Sequence, residues 1–83
     1  MRPDRLLRRL EDGHVQNVAF SDFVALAGAF GFELDRVRGS HHICRHRSLG
    51  IHLNLQEVRG KAKPYQIRQF LTMVERYDLE PEE

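Results

Sequence analysis

The sequence predicts an α+β domain in which a three-stranded antiparallel meander is covered by helices on one face, with an extra short helix at the N-terminus. Two observations lead to this fold class. Apolar residues recur at helical spacing near both ends of the chain, and between residues 32 and 55 the apolar period falls from 3.6 to 2. The links between the predicted strands are short, which favours antiparallel neighbours because parallel pairing needs a long crossover. With 83 residues, we expect one small domain, whose sheet has one face open.

Two helices are predicted before the strands. The segment RPDRLLRRLEDG places its leucines on one face and ends at Gly13. The second helix is predicted to begin at the N-cap residue Ser21, with Asp22 in its first turn, and to end before Gly31. Because it is apolar around most of its surface, we expect it to be the central packing element.

Three strands are predicted next, in FELDRVR, HHICRHR and IHLNL, with a turn at Gly39-Ser40 and a loop at residues 48–50. QEVRGKAKP is predicted to be a polar connection. Pro64 then suits the first turn of a final helix, PYQIRQFLTMVERYDL, which carries an apolar stripe at helical spacing.

A three-residue loop pairs position 47 with position 51, which sets His46 opposite His52 and Cys44 opposite Asn54. This register predicts which side chains of the middle strand face outward on the open face: His42, Cys44 and His46. The alternate side chains are predicted to face the helices: His41, Ile43 and Arg45. Burying Arg45 conflicts with its charge unless its stem snorkels or a bulge shifts the phase. In the third strand, His52 and Asn54 are predicted on the open face.

Charge is distributed unevenly, although the formal net charge is only +1. Residues 36–47 contain four arginines and no carboxylate, the next block adds Arg59, Lys61 and Lys63, and the chain from Glu75 onward is acidic. A basic centre indicates a local field for a polyanion such as nucleic acid. An ordinary solvated face is the alternative interpretation.

Three histidines and one cysteine fall within residues 41–46. Positions 42 and 46 would lie roughly 13 Å apart on one strand at ~3.3 Å per residue, too far to share a metal ion. A zinc site would need His46 and His52 together with Cys44 or another residue, and no closed-site spacing supports it. A nucleophilic Cys44 has no evident orienting residue. Histidine acid–base chemistry on RNA, with arginines neutralising the phosphate, fits better.

The longest apolar stretch has ten residues, 23–32, which is far short of a membrane span. The N-terminal residues contain no apolar segment typical of a signal peptide. A single cysteine fits a reducing compartment. We therefore expect a cytoplasmic protein that does not associate with membranes.

The stretch GFELDRVRGSHHICRH closely resembles the signature of HicA-type toxins, and LNLQEVRGKAKPYQIRQFL is similar to the second half of a HicA subgroup. The resemblance covers roughly residues 20–78, which leaves residues 1–19 as an N-terminal helical extension and 79–83 as an acidic tail. It implies a fold like a double-stranded-RNA-binding domain, α-β-β-β-α. It also implies metal-independent mRNA cleavage without a cofactor, and a HicB-type antitoxin as partner.

The essential histidine that the resemblance implies maps to His42, as general acid or base. The residues expected to contact RNA around it are Arg36, Arg38, Gly39, Ser40, His41, Arg45, Lys61 and Lys63. Gly39 and Ser40 would shape the turn that presents His42. The chain departs from many family members in its N-terminal extension and in lacking a Pro-Arg-His stretch at the third strand. A non-catalytic RNA-binding or protein-interaction module of the same fold is the alternative, and a zinc-binding protein is a further one.

Overall fold

The computed structural model describes residues 2–82, and Met1 and Glu83, the outermost residues of the predicted extension and tail, lie outside them. Three helices and one four-stranded antiparallel sheet, in the strand order β1-β2-β3-β4, make up the fold. The elements follow one another as α1 (Pro3–Glu11), α2 (Phe20–Ala29), β1 (Phe32–Arg38), β2 (His41–His46), β3 (His52–Val58), β4 (Lys61–Ala62) and α3 (Pro64–Arg76). The predicted α+β class is confirmed. Within residues 2–82, none of the helices combines the length and the apolar character of a membrane span.

The second helix begins differently from the prediction. Its N-cap is Ala19, which provides no side-chain cap, and Ser21 lies inside the helix. The backbone N–H of Phe20 donates instead to the carbonyl of Gly60, at 2.8 Å. The carbonyl of Gly60 thus takes the capping role that was predicted for the side-chain oxygen of Ser21. The start of α2 is thereby hydrogen-bonded to the β3–β4 turn. At the other end Gly31 has φ +94°, as expected for the residue that follows a helix.

The fourth strand was predicted to be part of a polar connection, and that prediction is wrong. Lys61 pairs with Val58 across a two-residue turn, whose residues Arg59 and Gly60 have φ values of 53° and 77°. Positive φ at both central positions is the geometry of a type I′ hairpin. The N–H of Ala62 also donates to the carbonyl of Val18, at 2.9 Å. The chain before α2 thus covers this edge of the sheet.

The predicted register between β2 and β3 is wrong by one residue. Cys44 pairs with Leu53, and Arg45 pairs with His52. The loop holds four residues, because the N–H of His46 donates to the carbonyl of Ile51 at 2.8 Å. A shift of one residue in the register moves every side chain of a strand to the opposite face of the sheet. Cys44 is therefore buried on the helix side, while Arg45 is exposed, and the conflict over a buried arginine disappears.

A β-bulge changes the phase of β1. Leu34 pairs with Cys44, but the next paired residue is Arg36, opposite Ile43, so Asp35 is left without a partner across the strand. The bulge moves Arg36 from the face predicted by simple alternation to the face that it shares with Ile43. Leu34 and Val37, on the helix side of this edge strand, remain 57% and 50% exposed.

The core lies between the sheet and the helices and is centred on Phe70 of α3. The ring of Phe70 meets Phe23 edge-on with centroids 5.4 Å apart, and Phe30 edge-on at 5.6 Å. Leu6 and Leu10 of α1 belong to the same buried cluster. The predicted N-terminal extension thus contributes to the one core. Gln66 of α3 is buried, and its Oε1 accepts the backbone N–H of Gln56 at 2.7 Å.

Candidate nucleic-acid interface

The face of the sheet away from the helices, called here the open face, consists of three rows of side chains paired across β1, β2 and β3. The rows are Arg38–His41–Gln56, Arg36–Ile43–Asn54 and Glu33–Arg45–His52. All are exposed except Ile43 and Gln56, which are half-buried. Opposed residues in an antiparallel pair have Cα atoms about 4.5–5.5 Å apart, so three arginines and two histidines share a surface only a few side chains wide.

Among residues 2–82, the positive charge of the open face is not paired with carboxylates at close range. Glu33 is the only carboxylate in the three rows, and it is engaged by Arg47, whose Nε lies 2.7 Å from Oε1. Arg47 also reaches Glu82 of the C-terminal segment, with Nη2 at 2.8 Å from Oε1. Within residues 2–82, none of the three open-face arginines forms an ion pair. Their guanidinium groups therefore remain available to an external anion such as a phosphate.

His41 lies on the open face, although it was predicted to face the helices. Its Nδ1 is 3.2 Å from Oδ1 of Asn54. An amide oxygen only accepts hydrogen bonds, so Nδ1 carries a proton in this contact, and in the neutral ring the lone pair is on Nε2. Arg38 pairs directly with His41 across β1 and β2. The structure thus brings together a basic imidazole nitrogen and a guanidinium.

His42 was predicted on the open face, and the one-residue shift in register makes that prediction wrong. It pairs with the fully buried Leu55 and so points to the helix side of the sheet. There its ring lies against Phe20, with centroids 4.8 Å apart and planes inclined by 57°. Its Nδ1 donates to the carbonyl of Ser40 at 3.3 Å. His42 is half-buried, and the sheet separates it from the open-face arginines.

The turn at Gly39-Ser40 lies where it was predicted, and Gly39 has φ +58°. Ser40 connects the turn to β3 in two ways. Its carbonyl accepts the N–H of Glu57 at 3.2 Å, and its Oγ accepts a hydrogen bond from Nε2 of Gln56 at 3.3 Å. These bonds hold the turn that precedes both histidines against β3.

The two lysines assigned to RNA contact lie beyond the three rows. Lys61 is exposed on β4 and pairs with Val58, two residues after Gln56. Lys63 precedes α3, and its Nζ lies 5.8 Å from the ring centroid of Tyr65. Lys61 therefore borders the row of His41 at the far edge of the sheet, whereas Lys63 is directed to an aromatic ring.

Cys44 and His46 are buried on the helix side rather than exposed. Burial raises the pKa of the Cys44 thiol, which keeps it protonated and unreactive at neutral pH. Nδ1 of His46 accepts the backbone N–H groups of Ser48 and Leu49, at 3.2 and 3.1 Å, and so closes the β2–β3 loop. His52 lies on the opposite face, so the set required for a zinc site is not assembled. No group of three or more potential metal ligands occurs in the part of the chain that is described.

The prediction that His52 and Asn54 lie on the open face is confirmed. It succeeded because the alternation of apolar and polar residues in IHLNL is regular. It assigned Asn54 no role, however. With the correct register, Asn54 lies two residues along β3 from Gln56, which is the residue opposite His41. That diagonal position was the signal in the sequence, and it could be recognised only once the register was known.

Comparison with known proteins finds no relative: no family model, no curated protein and no solved structure matches this chain.

Proposed function

We propose that this protein is an endoribonuclease that binds RNA across the open face of its sheet and cleaves it by histidine acid–base catalysis, without a metal ion. One observation carries the proposal. His41 has its Nδ1 bonded to Asn54, and it lies in the same row as Arg38, among three arginines that form no ion pair with any described residue. A phosphate held by these arginines would lie within reach of the imidazole.

In the proposed reaction the 2′-oxygen of a ribose attacks the adjacent phosphorus, and the bond from phosphorus to the 5′-oxygen breaks. Nε2 of His41 accepts the proton of the 2′-OH, or in its protonated form it gives a proton to the leaving 5′-oxygen, and water serves the other position. Arg38 and Arg36 stabilise the negative charge that develops on the phosphoryl oxygens. The products are a 2′,3′-cyclic phosphate and a free 5′-hydroxyl.

The choice of histidine separates two versions of this proposal. The resemblance to HicA-type toxins implies His42, whereas the open-face geometry favours His41, because His42 packs on Phe20 at the other side of the sheet. Replacing each histidine singly by alanine distinguishes the two versions, since the rings occupy different surroundings and share no hydrogen-bond partner.

We further propose that the biological role is that of a HicA-like toxin, which cleaves mRNA in the cytoplasm and is neutralised by a HicB-type antitoxin. The support is the signature in residues 31–46 and the element order α2-β1-β2-β3-β4-α3. Apart from the two-residue β4, this order is the α-β-β-β-α order of a double-stranded-RNA-binding-domain-like fold. An antitoxin would inhibit by presenting carboxylates to the open-face arginines, in competition with RNA.

The direct test compares a single-stranded RNA oligonucleotide with the same sequence made as DNA. We expect both to bind, since both present phosphates, and only the RNA to be cut, since the reaction needs a 2′-OH. Mass spectrometry should find 2′,3′-cyclic phosphate ends. Cleavage of the DNA, or RNA products with 5′-phosphate ends, would contradict the mechanism.

A non-catalytic RNA-binding module is the second candidate, and one observation favours it. The other open-face histidine, His52, lies four residues from the level of Gln56 along β3, about 13 Å at 3.3 Å per residue. His41 therefore has no second imidazole to share the proton transfers at one phosphate. RNA binding with the expected salt dependence, but no cleavage, would favour this candidate.

A further inference from the structure

We propose that Asn54 is a positioning residue for the reaction, which holds the ring of His41 in one orientation and keeps its proton on Nδ1. The inference rests on the proposed function for its catalytic consequence. The hydrogen bond itself can be tested without any cleavage.

The position of Asn54 is fixed by its strand. Its neighbours Leu53 and Leu55 are 1% and 0% exposed, so the backbone of β3 is anchored on both sides and Asn54 has to point to the open face. It pairs with Ile43, and His41 is the diagonal neighbour across the same two strands. Diagonal pairs in an antiparallel sheet are within reach of long side chains, which agrees with the 3.2 Å contact between Oδ1 and Nδ1.

Neither of the two residues directly opposite His41 accepts a hydrogen bond from its ring. Gln56, directly opposite on β3, donates its amide to Oγ of Ser40 at 3.3 Å. Arg38, directly opposite on β1, has only donors. Among these neighbours, Asn54 is therefore the one whose oxygen engages the ring.

The proposed reaction requires one ring nitrogen of His41 to transfer a proton to or from the RNA, while a hydrogen bond at the other nitrogen fixes the orientation of the ring. A hydrogen bond from Nδ1–H to an oxygen acceptor selects the tautomer whose lone pair is on Nε2, as second residues do for many functional histidines. The net gain from such a bond corresponds to roughly a two- to twelvefold change in an equilibrium. Loss of Asn54 should therefore change the tautomer ratio, and the turnover rate, by a factor of that order.

The experiment compares the wild-type protein with Asn54→Leu, which removes the acceptor, and Asn54→Asp, which restores an oxygen. Gln69→Leu, at an exposed position of α3, is the matched control. Long-range proton–nitrogen correlation spectra report the tautomer of each histidine ring. The signals of His41 are identified as those that disappear from the spectrum of His41→Ala. Cleavage kinetics on one RNA oligonucleotide give kcat and KM separately.

We expect the wild type, Gln69→Leu and Asn54→Asp to carry the His41 proton on Nδ1. In Asn54→Leu a substantial fraction should move to Nε2, and kcat should fall by roughly two- to twelvefold with KM nearly unchanged. An unchanged tautomer in Asn54→Leu, or a changed tautomer with unchanged kcat, would overturn the positioning role. If the wild type cuts no RNA, the proposed function fails, and the tautomer alone then decides whether Asn54 holds the ring.

Discussion

Replacing Arg38 by alanine should weaken RNA binding in a way that depends on salt. Each phosphate neutralised on a single strand contributes a slope of about −0.7 to the logarithm of affinity against the logarithm of salt concentration. If Arg36, Arg38 and Arg45 each engage one phosphate, the wild-type slope is about −2, and that of Arg38→Ala is about −1.4. Between about 50 and 200 mM salt, affinity should then fall about 20-fold for the wild type but only about sevenfold for the variant.

The assay is fluorescence anisotropy of a labelled single-stranded RNA, titrated at several concentrations of potassium chloride. Arg68→Ala is the matched control, because Arg68 is equally an exposed arginine but lies on α3, away from the open face. It should leave the slope unchanged. An equal loss of slope in Arg38→Ala and Arg68→Ala would refute the idea that RNA lies on the open face, as would a slope in Arg38→Ala equal to that of the wild type.

Three further expectations concern stability. Gln66→Leu removes the oxygen that accepts the backbone N–H of Gln56 at 2.7 Å. It should lower the unfolding free energy, measured by urea denaturation, by about 1–3 kcal/mol. A change below about 0.5 kcal/mol would contradict this. Gly31→Ala places a Cβ 2.8 Å from Oε2 of Glu82 and 2.9 Å from Nε2 of His46, at φ +94°, and should cost more than about 1 kcal/mol. Removing the Glu82 side chain as well should recover only part of this loss, and full recovery would show that the backbone is not strained. Burial raises the pKa of the Cys44 thiol, so its contribution to stability is complete below the pKa of the unfolded thiol and is lost as pH rises through the folded pKa. Cys44→Ala should therefore lose less stability than the wild type between neutral and alkaline pH, and an equal loss in the two proteins would contradict this.

Sequence patterns predicted the secondary structure well where the pattern was regular. The alternation of IHLNL fixed the faces of β3, and the apolar stripe after Pro64 fixed α3, because burial alone decides which side chains point inward. The β4 strand was missed since it has only two residues, and its hairpin has arginine at one of the positive-φ positions. Residue preferences do not indicate arginine for such a turn.

The faces of β2 could not be derived from its composition. The segment HHICRH contains polar residues in both phases, so the prediction depended on loop length, and the loop has one residue more than expected. The side chain of His46 stabilises that longer loop by accepting two backbone N–H groups. Such a bond compensates for burying a polar ring, and no periodic pattern reveals it. Because of the same error, His41 and His42 were each predicted on the wrong face of the sheet.

One measurement tests most directly whether His41 cleaves RNA on the open face. RNA cleavage by the purified protein in excess EDTA is compared among the wild type, His41→Ala and His42→Ala, after circular dichroism has shown that all three fold. We expect the wild type and His42→Ala to cut the RNA and His41→Ala to bind it without cutting. Undiminished cleavage by His41→Ala, or loss of cleavage in His42→Ala alone, would contradict the claim.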